Sequence, residues 1–181
     1  EALHEPNWDE ILPLFLDTDE SSSQQVYPLM ERAIEKCSKV VDRHTMNPSK
    51  RDIKSMKWPE MNKWIDDNYT VIGRAYYMKE DFAKAEEIFL FLARTVDTPD
   101  AQAWAYSWLG RIHLRTNDLI KAKNMLAKAE QYNDASQEVR VHTGLVYAQY
   151  YIQKGNYDDA VRQLEESLKE IKNKKEKARP L

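Results

Sequence analysis

Apolar residues recur every three or four positions along most of this chain, with charged residues between them. That is the pattern of a series of helices, each burying one face. The pattern itself repeats. Gly73, in Tyr69-Thr70-Val71-Ile72-Gly73-Arg74-Ala75-Tyr76, lies 37 residues before Gly110, in Tyr106-Ser107-Trp108-Leu109-Gly110-Arg111-Ile112-His113. Asp81-Phe82-Ala83-Lys84-Ala85 is matched 37 residues on by Asp118-Leu119-Ile120-Lys121-Ala122, and a further 38 on by Asn156-Tyr157-Asp158-Asp159-Ala160. Each unit reads as a helix A with aromatic, large apolar, small and aromatic positions on one face. A turn follows, then a helix B whose small residue (Ala85, Ala122 or Ala160) meets helix A. Phe89, Leu126 and Leu164 come four residues later as the bulky members of helix B. The turns Lys79-Glu80-Asp81, Thr116-Asn117-Asp118 and Lys154-Gly155-Asn156 end in a side chain able to cap the next helix.

Self-similarity at this period predicts an all-α fold, a tetratricopeptide-type α-solenoid of about seven helices. Such units run about 34 residues, and the additional residues here fall between units, at 95–99 and near 133–136. Helices are expected at about 23–43, 60–78, 82–95, 99–115, 119–131, 135–153 and 157–174. Residues 1–22, with Pro6, Pro13 and Ser21-Ser22-Ser23, read as an irregular N-terminal lead whose segment 11–16 docks on the first helix. Residues 23–59 read as a partial repeat: a helix-B-like segment carrying Ala33 and Cys37, then an insert loop from about 44 to 59 holding Pro48 and Pro59. Residues 60–174 read as three helix pairs, and 175–181 as a charged tail. The lysines from Lys169 onward read as a solvated helix end rather than a basic patch.

Composition supports helices and narrows the function. Of 181 residues only four are glycine and seven proline, the two poorest residues for helix interiors. The net charge of -3 is not the basic excess of a nucleic-acid binder, so no nucleic-acid partner is expected. No apolar run is long enough to cross a bilayer. Cys37 is the single cysteine; it can form neither an internal disulfide nor a zinc site alone, and reads as a buried structural thiol. His4, His44, His113 and His142 form no metal-binding pair, and no glycine-rich loop exists to hold a phosphate. No catalytic residue, metal or cofactor is expected, and the chain does not read as an enzyme. His113 takes the aromatic slot filled by Tyr76 and Tyr151 in the other units and reads as packed.

A solenoid instead offers a surface. Stacked helix pairs curl, and the A helices line the inner side. Offsets from the core glycines place Asp67, Thr70, Arg74 and Tyr77 there from the first unit. Trp104, Ser107, Trp108, Arg111 and Arg115 follow from the second, and His142, Leu145, Gln149 and Ile152 from the third. The expected partner-binding residues are Asp67, Thr70, Arg74, Tyr77, Trp104, Ser107, Arg111, Arg115 and Gln149. Arg74 and Arg111 share a slot one repeat apart and should lie side by side. Tryptophan, tyrosine and arginine are the types enriched in binding hot spots, and the chemistry suits an acidic segment. Co-chaperone repeat domains clamp a terminal carboxylate with lysines and asparagines at set slots. Thr70, Arg74 and Trp108 stand at those slots here, which speaks against such a clamp.

Two strings are more specific than a generic repeat. They are Asn62-Lys63-Trp64-Ile65-Asp66-Asp67-Asn68-Tyr69, continuing to Phe82, and Ala33-Ile34-Glu35-Lys36-Cys37-Ser38-Lys39-Val40-Val41-Asp42-Arg43-His44. With the lead Trp8-Asp9-Glu10-Ile11-Leu12-Pro13, they resemble the N-terminal repeat region of the PorW/SprE family, tetratricopeptide lipoproteins of the type IX secretion system of Bacteroidota. The resemblance covers most of residues 7–130. It implies an outer-membrane lipoprotein facing the periplasm, needed for protein export and gliding motility. The implied partners are a PorN/GldN-type ring component and a Sov/SprA-type translocon, with membrane contact only through a lipid anchor upstream of Glu1. The repeats alone would equally suit a cytoplasmic tetratricopeptide adaptor for an unrelated complex, or an accessory domain of a larger enzyme.

Overall fold

The computed structural model describes residues 20–44, 64–96 and 98–177. Within these, seven helices follow one another: α1 (Glu20–His44), α2 (Ile65–Met78), α3 (Phe82–Thr95), α4 (Pro99–Arg115), α5 (Leu119–Glu130), α6 (Gln137–Gln153) and α7 (Tyr157–Lys177). No strand occurs among the described residues. The expected helices are therefore present, with ends shifted by a turn or less where they can be compared. The segment 11–16 and the insert 45–59 lie outside the described residues.

Local chemistry accounts for the boundaries. Asp81 and Asp118 each accept the backbone N–H three residues on, from Lys84 at 3.3 Å and Lys121 at 3.0 Å. The same side chains hold those lysines in ion pairs at 3.0 and 3.1 Å. Asn156, expected to do likewise, instead directs its amide to Asp159 at 3.5 Å. Pro99 opens α4 at a position where a missing N–H costs nothing. The A helices all end alike. Glu80, Asn117 and Gly155 stand at the same slot with φ of 61°, 60° and 81°. Their N–H groups reach back to Tyr77, Leu114 and Ile152, and the next N–H groups reach Tyr76, His113 and Tyr151. This doubly bonded left-handed ending satisfies carbonyls that a helix terminus would otherwise orphan.

Each helix packs on its sequence neighbours, and α4 also packs on α6. One apolar cluster spans α2, α3 and α4, with Tyr77, Phe89, Leu92, Trp108 and Ile112 inside it. A second spans α4, α5 and α6, with Leu114, Leu126, Val146 and Tyr150. Close approach within the pairs needs the small residues. A Cβ on Gly73 would lie 2.8 Å from the Phe89 ring, and one on Gly110 would lie 2.7 Å from Leu126. Cys37 is only half-buried, not the enclosed thiol the helical stripe suggests, and partial burial raises its pKa. Its helix touches a neighbour on one side only among the described elements.

Candidate functional site

The A helices α2, α4 and α6 bring their expected face together around Trp108. This indole is 2% exposed and stacks parallel on Phe89, with centroids 5.6 Å apart. Tyr77 meets it edge-on at 5.3 Å, and His142 from α6 lies at 5.2 Å. Arg111 stands 4.9 Å from the ring centre and Arg74 5.6 Å. Arg111 also lies 5.2 Å from the Tyr77 ring. The two arginines thus share one indole, as their common slot predicts. Cation–π contact is strongest over tryptophan and gains when water is excluded.

Burial divides the nine expected residues. Asp67 and Arg115 are exposed, while Thr70, Arg74, Trp104 and Gln149 are half-buried. Tyr77, Ser107 and Arg111 are not on open surface as their offsets suggest, being 7%, 0% and 4% exposed. The cause is the size of their neighbours: the Tyr77 and Trp108 rings flank Arg111, and His142, itself packed against Trp104 and Trp108, reaches the small Ser107. The Ser107 hydroxyl and His142 Nδ1 are 2.7 Å apart, which ties α4 to α6. Trp104 covers that bond, its ring 4.5 Å from His142. Arg115 reaches Glu80 at 3.0 Å, across from one unit to the one before.

The electrostatics of this face are cationic. Burial works against the charge on Arg111, the Tyr77 phenol supports it, and Arg74 and Arg115 repel it. No carboxylate forms an ion pair with Arg111 among the described residues. A guanidinium keeps its charge even so. Burial, then the fields of Arg111 and Arg74, push His142 down to about 3, so its ring is neutral at ordinary pH. Four buried polar atoms here have no hydrogen-bond partner among the described residues: Trp108 Nε1, Arg111 Nε, His142 Nε2 and Gln149 Oε1. Such groups are uncommon in folded interiors, and four of them belong to one face.

His113, by contrast, is packed as its slot predicts. It is 5% exposed, with Nε2 3.7 Å from Glu86, and burial lowers its pKa. Two clefts lie elsewhere. One of about 220 Å³ sits between the α5–α6 connection and α7, walled by Arg140, Thr143, Gly144, Gln163, Ser167 and Glu170. Its Arg140–Glu170 ion pair closes at 3.2 Å. The other, about 330 Å³, lies over Tyr69, Tyr76, Lys84 and Phe91. Repeat offsets alone do not reveal the first cleft, but Gly144 was a usable signal: it stands where Tyr69 and Tyr106 stand in the earlier units.

No group of three or more His, Cys, Asp or Glu side chains among the described residues could hold a metal ion. No helix among them is long and apolar enough to cross a membrane. Searches against family models, curated proteins and solved structures find no match to this chain. The geometry of the α2–α4–α6 face therefore carries the functional reading.

Proposed function

We propose that this chain is a non-catalytic protein-interaction scaffold, a tetratricopeptide-type solenoid that receives an acidic segment of a partner protein along α2, α4 and α6. The observation that carries this reading is the cationic, aromatic cluster around Trp108. Arg74 and Arg111 converge there, Arg115 lies one turn on over Phe82 and adds its charge to Arg111, and the buried Arg111 has no carboxylate partner among the described residues. A partner's carboxylates would supply the missing counter-charge, with Arg74, Arg115 and Trp104 as the accessible contacts. The three helix pairs at 37- and 38-residue spacing support the solenoid class.

The resemblance to PorW/SprE lipoproteins suggests where such a scaffold would work. It would stand on the periplasmic side of the outer membrane, between a PorN/GldN-type ring component and a Sov/SprA-type translocon in type IX secretion. The test is a pull-down from membrane extract of the source bacterium with this chain as bait. The control bait carries Arg74→Glu and Arg115→Glu and leaves the buried Arg111 in place, so the helices should survive. Ring or translocon proteins captured by the first bait and lost by the second would support both the role and the face. Capture by both would move binding off this face. Capture of only cytoplasmic proteins, or of none, would overturn the secretion role.

A further inference from the structure

The last helix carries a second surface. Tyr157, Val161, Leu168 and Ile171 are 66%, 55%, 49% and 40% exposed, and Leu164 between them is half-buried. Their spacing of three and four places all five on one stripe of α7. The repeat register gives that stripe a meaning. Tyr157, Leu164, Leu168 and Ile171 stand at the slots held in α3 by Phe82, Phe89, Ala93 and Val96. Those four belong to, or pack on, the cluster that α3 builds with α2 before it and α4 after it. At the same slots of α5, Leu119 and Leu126 pack on the cluster shared with α6. The α7 stripe is thus built to receive another helix, and no helix lies on it among the described residues.

We infer that it receives α7 of a second copy, paired antiparallel. Charge along the helix selects this arrangement. The first half carries Asp158, Asp159, Glu165 and Glu166 against one Arg162, and the second half carries Lys169, Lys172, Lys174, Lys175 and Lys177 against Glu170 and Glu176, so the halves are net acidic and net basic. A parallel pair would set like charges side by side, whereas an antiparallel pair sets acidic half against basic half. Centred near Glu166, it places Val161 across from Ile171 and Leu164 across from Leu168 of the second copy. At the edge it places Glu165 near Lys169 of the second copy. Glu166 itself falls on the far side of the helix. Five apolar residues over four turns make a small joint. Interfaces below about 1,200 Å² in total are weak and transient, so dimerisation is expected in the micromolar range. It involves none of the residues in the proposed partner-binding face.

Sedimentation velocity of the whole chain from about 5 to 200 μM tests this. The expected result is a concentration-dependent shift from 21.3 kDa toward twice that mass. Val161→Glu with Leu168→Glu should leave a monomer at every concentration, with unchanged helical circular dichroism because both positions are exposed. Lys169→Glu should weaken the dimer at least several-fold, and adding Glu165→Lys should restore it. A chain that stays monomeric at 200 μM overturns the proposal and assigns the stripe to a different helix. A dimer that survives the double glutamate variant forms elsewhere and overturns it equally.

Discussion

Helices α5 and α7 hold the same slots with similar residues and meet different fates. Ala122 and Ala160 both close on the A helix of their own pair, and both are buried. One turn on, Leu126 is fully buried while Leu164 is half-exposed. The residues match; the surroundings do not. Helix α5 has α4 on one side and α6 on the other, and α7 packs on α6 alone among the described residues. Burial in a stack is therefore a property of a helix's neighbours more than of its own sequence.

The largest test of that contrast is truncation. Leu126→Ala should cost about 2–5 kcal/mol, the range for fully enclosed leucines. Leu164→Ala should cost about 1 kcal/mol, since much of its surface is already in water. Urea unfolding followed by circular dichroism would measure both, and equal losses would break the comparison.

The glycines give a smaller difference. Gly110→Ala forces a methyl onto Leu126, whose branch point has little room to yield, and should cost about 1–3 kcal/mol. Gly144→Ala would overlap the Ser167 hydroxyl in the α6–α7 pair. That hydroxyl can rotate away, losing only its 3.0 Å bond to the Gln163 carbonyl. The expected cost is about 1 kcal/mol, and Gly144→Ala with Ser167→Ala should recover most of it. No recovery would mean that the helix backbones, not the hydroxyl, set the distance.

Acid should act on the middle of the stack. His142 is held neutral down to about 3 when folded, against an ordinary value of 6.5. The unfolded chain thus takes up the proton first. Stability is full above 6.5 and falls as pH drops toward 3, by up to about 1.4 kcal/mol per unit. His113, also lowered by burial, works in the same direction. Urea midpoints at pH 7 and pH 5 should therefore differ, and His142→Asn should reduce the difference. An unchanged difference would place the acid sensitivity elsewhere. The smallest expected effect lies in the turns. Asn117→Gly should stabilise by about 0.5 kcal/mol, because glycine adopts positive φ freely, and Gly155→Ala should destabilise by about 1 kcal/mol. Thermal unfolding would read both.

Helix number, order and pairing were legible because they rest on short-range spacing that repeats. Asp81 and Asp118 announce their helices by type and position alone. The face around Trp108 was legible as a register but not as a surface. Arg111 has the slot and chemistry of a groove residue, yet Tyr77 and Trp108 enclose it. Ser107 was placed at the groove, but its bond to His142 joins residues 35 apart through the angle at which α4 meets α6. That angle comes from packing, which no offset within one repeat encodes. Asn156 has the type and position of a cap, but the side-chain bond it makes is a donation from its amide nitrogen to Asp159.

The uniform left-handed ending of the A helices has a consequence for how such a chain can change length. Residues 79–81, 116–118 and 154–156 are closed by the same pair of backbone bonds. An inserted residue there would break both bonds and rotate helix B away from its small-residue contact. The connection after α5 is closed differently, by single-turn bonds from the Gln131 and Tyr132 N–H groups to the Lys128 and Ala129 carbonyls, and the connections after α3 and α5 already hold the residues that lengthen each unit beyond 34. Insertions and deletions among homologous sequences should therefore collect at 95–99 and 131–136 and spare the hairpins, so that drift in length alters the tilt between units while each unit stays whole.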